Sequence, residues 1–359
     1  MTLTPILQFG TSRFLQAHAD LFLTEGTEAL GPVTVVQSSG DAGRAGRLGA
    51  LAQGFQVRVQ GIENGQPVRR AVHVTSVVRT LSTATDWPEV CRIGAHEARI
   101  ILSNTSEKGL VAQPADGGAV FDQAMSWPAK LTHLLRARHQ AGGAPVQIMP
   151  TELVAQNGQV LRARVLDLAR ALDGAFAEWV AGQVFVTSLV DRIVSAALEP
   201  AGAVAEPYAL WAIQDCPGLI LPVRHPAVQV VADLGPIERR KLYILNLGHS
   251  WLVSQWRARG GADHVRDLLA DPAWRGALQA VYADEVLPVF AAAGDASAPD
   301  YVAQTLDRFA NPYLDHRLSD IAQNHAEKLE RRIGAFLAWA ADLGLAGRQP
   351  RLTAALKEG

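Results

Sequence analysis

Cysteine is nearly absent: Cys91 and Cys216 are the only two among 359 residues. Two thiols make neither a disulfide framework nor a multi-cysteine metal centre, and a reducing cytoplasm suits such a composition. Charge imbalance is lacking too, since 33 basic and 35 acidic residues leave a formal net charge of -2. That balance offers no long-range attraction to a polyanion and removes nucleic acid and anionic membrane from the expected partners. No run reaches the roughly 18 apolar residues of a membrane span, and the opening MTLTPILQFG carries no basic leader or long apolar stretch. The ten histidines show no compact metal spacing, so no metal is expected where several N, S or O ligands must converge.

Apolar residues, by contrast, make up 48% of the chain, enough for a sizeable core in one or two domains without metal or disulfide staples. In the first half, short β-branched runs alternate with longer amphipathic ones, the pattern of a mostly parallel sheet covered by helices. Strands are predicted at 6–9, 33–37, 55–61, 98–103, 146–149, 184–187, 209–213 and 228–231, and helices at 13–25, 85–94, 124–139, 160–180 and 188–197. From about residue 236 helical spacing takes over, at 237–258, 264–269, 275–292, 299–309 and 317–343. Pro226 and Gly235–Pro236 bracket the change. The expectation is an α/β domain over 1–235, followed by a mainly α-helical domain over 236–359.

The first predicted strand runs straight into FGTSRFLQAHADLF. Phe9, Gly10, Thr11 and Ser12 stand where a strand-to-helix turn meets a pyrophosphate: glycine allows close backbone approach, and the free amides of the helix face the anion. A full GxGxxG is missing, because Ser12 and Leu15 hold the second and third glycine places, so an ordinary βα turn is the competing reading. Asp41, in the loop after the second strand, can hold the ribose of NAD, whereas Arg44 and Arg47 suit the 2'-phosphate of NADP. NAD is favoured on this pattern. After another apolar strand, Asn104 and Thr105 in ILSNTSEKGL fall where a carboxyl-end loop meets the ligand or simply fixes itself.

The segment IERRKLYILNLGHSWLVSQW concentrates the chemistry. On a helix of 3.6 residues per turn, Lys241, Asn246 and His249 share an arc of roughly 140°. A lysine sheltered from water can act as general acid or base, an asparagine amide can stabilise a developing alkoxide, and a histidine can orient the substrate oxygen. A surface lysine, a kink asparagine and a core histidine are the structural alternative.

Lys-x4-Asn-x2-His within KLYILNLGHSWLV resembles the signature of the mannitol dehydrogenase family, the polyol-specific long-chain dehydrogenases and hexuronate reductases. Four further stretches match in order: ILQFGTSRFLQAHADLF, ILSNTSEKGL, FVTSLVDRIV over 185–194, and RFANPYLDHRLSDIAQNHAEK over 308–328. The resemblance implies a Rossmann-type N-terminal domain, a mainly helical C-terminal domain, and metal-independent hydride transfer between NAD(P) and a sugar-derived hydroxyl or ketone. It makes Lys241 the general acid/base, Asn246 the oxyanion partner and His249 the substrate-binding histidine. It also places Asp191, with Arg192, and Lys328, with Asn324, near the substrate. On their own residues, Asp191–Arg192 read as a buried ion pair, and the charges of EKLERR as a solvated face.

NTSEKG and PTELVAQNG resemble the NTTEAG and PCELIxNNG patterns of the hexuronate branch. Glu152–Leu153 stand where mannitol dehydrogenases tend to have Asp-Asn. A tagaturonate/altronate-like interconversion is therefore expected ahead of fructuronate reduction or mannitol and other polyol oxidation. A noncatalytic nucleotide-binding regulator is the alternative of another class. The expected partner is a small sugar acid or polyol, with the chain a monomer or small homo-oligomer in the cytoplasm. Thr151 in place of Cys, Thr187 in place of Asn, Gln16 in place of Arg and Ser12 in place of Gly depart from the patterns, and the chain is short for the family.

Overall fold

β-branched and apolar side chains on both faces make the four central strands of the main sheet continuous buried runs, as in a sheet covered by helices. In the computed structural model, which describes residues 2–105 and 107–357 but not the side chains of Arg44, Ala45, Glu107 and Lys108, the strands are β1 (Ile6–Phe9), β2 (Val33–Gln37), β3 (Phe55–Glu63), β4 (Gln66–Val74), β5 (Val77–Ser82), β6 (Ile100–Ser103), β7 (Gln147–Pro150), β8 (Val184–Phe185), β9 (Ser188–Asp191), β10 (Val194–Ala197), β11 (Gly202–Ala205), β12 (Leu210–Gln214) and β13 (Val228–Val231). Six of them form a parallel sheet in the order β5-β2-β1-β6-β7-β8. This is the doubly wound Rossmann order, with its crossover reversing between β1 and β6. Helices Trp87–His96, Trp127–Gln140 and Asn157–Leu172 contribute to the buried cluster against one face, built on Leu7, Ile101, Leu131, Ile148 and Val165.

Two smaller sheets, β10-β11-β3-β4 and β13-β12-β9, complete the strands. They overturn the helix expected at 188–197. The sequence SLVDRIVSAA has β-branched residues spaced for an extended chain, and it pairs instead as β9 antiparallel to β12 and β10 antiparallel to β11.

The chain divides into two units. The first comprises Met1–Arg58, Arg70–Ala205 and Ala209–Leu234; the second comprises Val59–Arg69, Glu206–Tyr208 and Gly235–Gly359. The second unit is mainly helical, with a core that includes Leu247, Trp251, Leu278, Tyr282, Phe290 and Phe336. Within it, the segment expected as one helix over 237–258 is an α-helix (Gly235–Arg240), a π-helical turn (Lys241–Asn246) and a second α-helix (Leu247–Arg259). The helix expected over 317–343 is likewise broken: Asn324 adopts a left-handed conformation, φ 54°, between helices Leu318–Ile321 and His325–Leu329. Among the described residues no helix is long and apolar enough to cross a membrane.

Candidate active site

In the first unit, the carboxyl ends of β1 and β6 open onto a cavity of about 740 Å³, lined among others by Gly10, Thr11, Ser12, Asn104 and Thr105. This is the crevice at which doubly wound sheets bind ligands. Gly10 has φ +132°, and a β-carbon there would lie 2.8 Å from the Asn104 carbonyl, so the bare backbone lets the two loops pass. Ser12 caps the short helix Arg13–Gln16 by accepting from the Leu15 amide at 3.2 Å, and its hydroxyl donates to Asn104 Oδ1 at 3.0 Å.

The loop after β7 buttresses this edge. Asn104 Nδ2 donates to both Thr151 oxygens at 3.1 Å, and the Thr151 hydroxyl donates to the Ser103 carbonyl at 2.8 Å. A cysteine at 151 would replace that hydroxyl with a weaker donor and acceptor, so threonine suits the position. Glu152, 3% exposed, accepts from Ser103 Oγ, the Thr105 amide and Thr105 Oγ1 at 2.9–3.1 Å. Burial pushes its carboxyl pKa up against the lowering pull of those bonds. Gln16, the other departure near the turn, donates to the Thr11 carbonyl at 3.2 Å and accepts from the Gly202 amide at 2.7 Å.

Two expected cofactor contacts lie elsewhere. Phe9 is fully buried against Trp127, ring centroids 4.4 Å apart, and offers its carbonyl to the Asn104 amide at 3.0 Å. Asp41 is exposed and accepts from the Gly43 amide at 3.0 Å, and it is not among the residues lining the cavity. Arg47 does line it, while the Arg44 side chain is outside the described residues. Sequence reasoning missed Lys130, which also lines the cavity although it is only 4% exposed. The signal was a single lysine inside the apolar run WPAKLTHLL.

Asp191 and Arg192 belong to the same unit and are 6% and 7% exposed. Arg192 donates to the Ala17 carbonyl at 2.5 Å, and both residues bear electrostatically on buried His18.

The second unit carries Lys241, Asn246 and His249. A π turn closes with i→i+5 bonds, so the arc expected for a regular helix does not describe Lys241 and Asn246, which begin and end that turn. Two side chains donate to carbonyls of this stretch: Tyr282 Oη to Ile244 at 3.0 Å, and Arg332 Nη1 to Asn246 at 3.3 Å, Arg332 also reaching Ser250 Oγ at 3.0 Å. Lys241 and Asn246 are half-buried, whereas His249 is 5% exposed. His249 packs on Phe309 and His316, centroids 4.3 and 4.6 Å away. Its Nε2 is buried with no hydrogen-bond partner among the described residues. Burial, reinforced by His316, Arg332, Arg308 and Lys328, holds the imidazole pKa well below its ordinary value, so it is neutral near pH 7.

Lys328 donates to the Ile321 carbonyl at 2.8 Å, and its amide bonds the Asn324 carbonyl at 3.1 Å. Asn324 itself is exposed at the helix start, in the break of the helix expected over 317–343, so the two do not share one continuous helix face. Arg332, read from sequence as part of a solvated charge run, is half-buried, and burial beside Arg331 lowers its pKa to about 10. Its spacing of four from Lys328 was the available signal. Arg308 is neutralised by Glu206 in a buried bidentate pair with bonds of 2.8 and 3.0 Å. Among the described residues, neither Lys328 nor Arg332 forms an ion pair.

Two family models match the chain: the mannitol dehydrogenase Rossmann domain over residues 4–220 and the mannitol dehydrogenase C-terminal domain over residues 233–354. Altronate oxidoreductase of Klebsiella pneumoniae (strain 342) is 33% identical over an alignment covering 98% of this chain and 78% of that protein. The Bacillus subtilis (strain 168) altronate oxidoreductase is 31% identical, with 91% and 73% covered. Among solved structures, D-sorbitol dehydrogenase in substrate-free form superposes with a TM-score of 0.85 at 20% identity, covering 99% of this chain and 80% of that one. Pseudomonas fluorescens mannitol 2-dehydrogenase, solved as a ternary complex with NAD and D-mannitol, gives 0.75 at 20% identity, with 99% and 78% covered. At that identity the likeness is one of fold.

Proposed function

The chain belongs to the mannitol dehydrogenase family and is an NAD(P)-dependent oxidoreductase, and from that premise we propose that it interconverts a keto-hexuronate and its aldonate, a tagaturonate/altronate-like pair, with Lys241 as the proton donor and acceptor. The observation that carries the substrate class is the charge around His249. Its electrostatic neighbours His316, Arg332, Arg308 and Lys328 include no acid. Arg308 is compensated by Glu206, and Glu327 and Asp320 bear on Lys328 and His316, but Lys328 and Arg332 donate only to the neutral oxygens described. A neutral polyol leaves that positive field unanswered, whereas a sugar carboxylate answers it with charge-assisted hydrogen bonds. The relatives named altronate oxidoreductase favour the same class.

The cavity at β1 and β6 fits a dinucleotide: Gly10 leaves room that a β-carbon would fill, and Thr11, Ser12, Asn104 and Thr105 line the space. These residues would hold the pyrophosphate and the adjoining ribose. Reduced nicotinamide supplies the hydride when bound. As the keto carbon gains that hydride, Lys241 gives a proton to the carbonyl oxygen, and in the reverse direction it removes the hydroxyl proton. Asn246, at the end of the π turn, donates to the oxygen as negative charge builds. Its main chain is anchored there by Arg332. Neutral His249, with Nε2 unpartnered, orients a substrate hydroxyl.

A coupled absorbance assay tests the substrate class. With tagaturonate, fructuronate and fructose at matched concentration and either reduced dinucleotide, kcat/KM for a ketouronate should exceed that for fructose by ~100-fold, the size expected when a site built to pair a charge loses it. Fructose turned over as well as the ketouronates would refute the sugar-acid reading.

A further inference from the structure

The end of the cavity beside β2 differs from a seat for an unmodified ribose. A dinucleotide whose adenosine ribose carries free hydroxyls is ordinarily held by a carboxylate at the end of the second strand, whereas a 2'-phosphate is met by a nearby arginine. Here β2 ends at Gln37 and the chain runs on through Ser38 and Ser39, all three lining the cavity, and among the residues with described side chains no aspartate or glutamate lines it. Asp41 turns its carboxylate to the Gly43 amide, and its carbonyl accepts from Gln37 Nε2 at 2.9 Å. Those bonds tie the loop to itself, and Asp41 is not among the residues lining the cavity.

What faces the space is cationic and neutral-donor chemistry. Lys130 Nζ reaches the Ser38 carbonyl at 2.7 Å, and the same carbonyl accepts from Gln123 Nε2 at 2.9 Å and Thr83 Oγ1 at 3.2 Å. Three donors on one carbonyl fix the loop that presents the two serines. Burial lowers the Lys130 pKa to about 8 against the raising pull of Asp122, which does not line the cavity, leaving it largely protonated at pH 7. Arg47, half-buried on helix Ala45–Leu51, lines the same cavity and pairs with Glu199, whose side chain is 74% exposed. An ion pair to so exposed a carboxylate is worth little, so the guanidinium gives it up readily for a dianion.

We infer that this corner, with Arg47 and Lys130 as cations and Ser38 and Ser39 as hydroxyl donors, is a seat for a ribose 2'-phosphate, so that the chain selects the phosphorylated dinucleotide. The inference rests on the dinucleotide reading of the cavity and is independent of the sugar substrate. A charge-assisted contact of this kind converts to roughly ten-fold or more in affinity.

The test is direct binding by fluorescence titration of the purified chain with NADPH and with NADH at one ionic strength, without sugar. Tighter binding of NADPH by about ten-fold is expected, with Arg47→Ala collapsing the ratio toward one, Arg47→Glu reversing it and Arg47→Lys retaining part of it. Equal or tighter binding of NADH, or a ratio indifferent to Arg47→Glu, overturns the phosphate seat while leaving the oxidoreductase reading in place. Failure of both nucleotides to bind overturns the dinucleotide cavity itself, and the seat with it.

Discussion

A single methyl group at position 10 would test how the cofactor edge is built. Gly10 holds φ +132° and lies within 2.8 Å of the Asn104 carbonyl at its would-be β-carbon, so Gly10→Ala meets both a disfavoured backbone and a rigid neighbour. A cost of about 1–3 kcal/mol in stability is expected, with dinucleotide affinity falling roughly ten-fold as the loops part. Thermal unfolding and fluorescence titration check both, and a variant unchanged in each would mean that the loops pass by another route. The turn at Gly10 was legible because an apolar strand running through a glycine into a helix marks a βα turn, whatever that turn binds. Asp41 and Arg332 were not placed by sequence. Asp41 is the nearest acid after the second strand, yet its short side chain is satisfied by a local turn amide. Arg332 sits in a run of charges that reads as solvated until the fold covers it.

At the scale of elements, the π turn Lys241–Asn246 depends on neighbours distant in sequence. Tyr282 donates to the Ile244 carbonyl, and a β-carbon on Gly248 would lie 2.0 Å from the Tyr282 hydroxyl oxygen. Gly248→Ala should therefore push Tyr282 away and cost about 1–3 kcal/mol by overpacking. Adding Tyr282→Phe should recover part of that loss, because it removes the clashing atom, and a thermal-unfolding double-mutant cycle reads the coupling. Strict additivity would contradict the contact.

The same dependence explains which elements were legible. β1, β2 and β13 are local apolar runs and match their expected bounds. The break at Asn324 and the π turn arise from backbone geometry settled by tertiary partners, and the 3.6-residue period passes smoothly over both. The misread helix at 188–197 follows from Val190, Ile193 and Val194 satisfying helical and extended patterns alike until β11 and β12 supply partners.

For the whole molecule, the buried histidines set the response to acid. Burial lowers His18 to about 3 and His316 and His325 to about 4, and holds His249 well down. All four groups stay neutral in the folded chain while the unfolded chain protonates them near 6.5. Their contribution is therefore intact above pH 6.5 and is lost as pH falls toward 4. Asp20 and Glu152 oppose them: burial raises the Asp20 pKa to about 7 and lifts Glu152 above its ordinary value, so their contributions are present below the usual carboxylate range and are lost as pH rises, for Asp20 through 7. Four groups outweigh two, and the melting temperature should fall on acidification from about 6.5 to 4. A flat or rising profile at constant ionic strength would contradict this balance.

The division into two units was only partly visible in sequence. The change of texture near residue 236 is compositional. The grouping of Val59–Arg69 with the helical unit is not, because it rests on long-range contacts such as that of Asn311 Nδ2 with the Gln60 carbonyl at 3.3 Å.

The role of Lys241 is tested most directly by single-turnover and steady-state kinetics of Lys241→Ala on a ketouronate, alongside direct titration with the reduced dinucleotide. General acid catalysis by this lysine predicts a fall in kcat of at least ~100-fold, with dinucleotide affinity essentially unchanged and partial rescue by small exogenous amines. Turnover near that of the unaltered chain would contradict it.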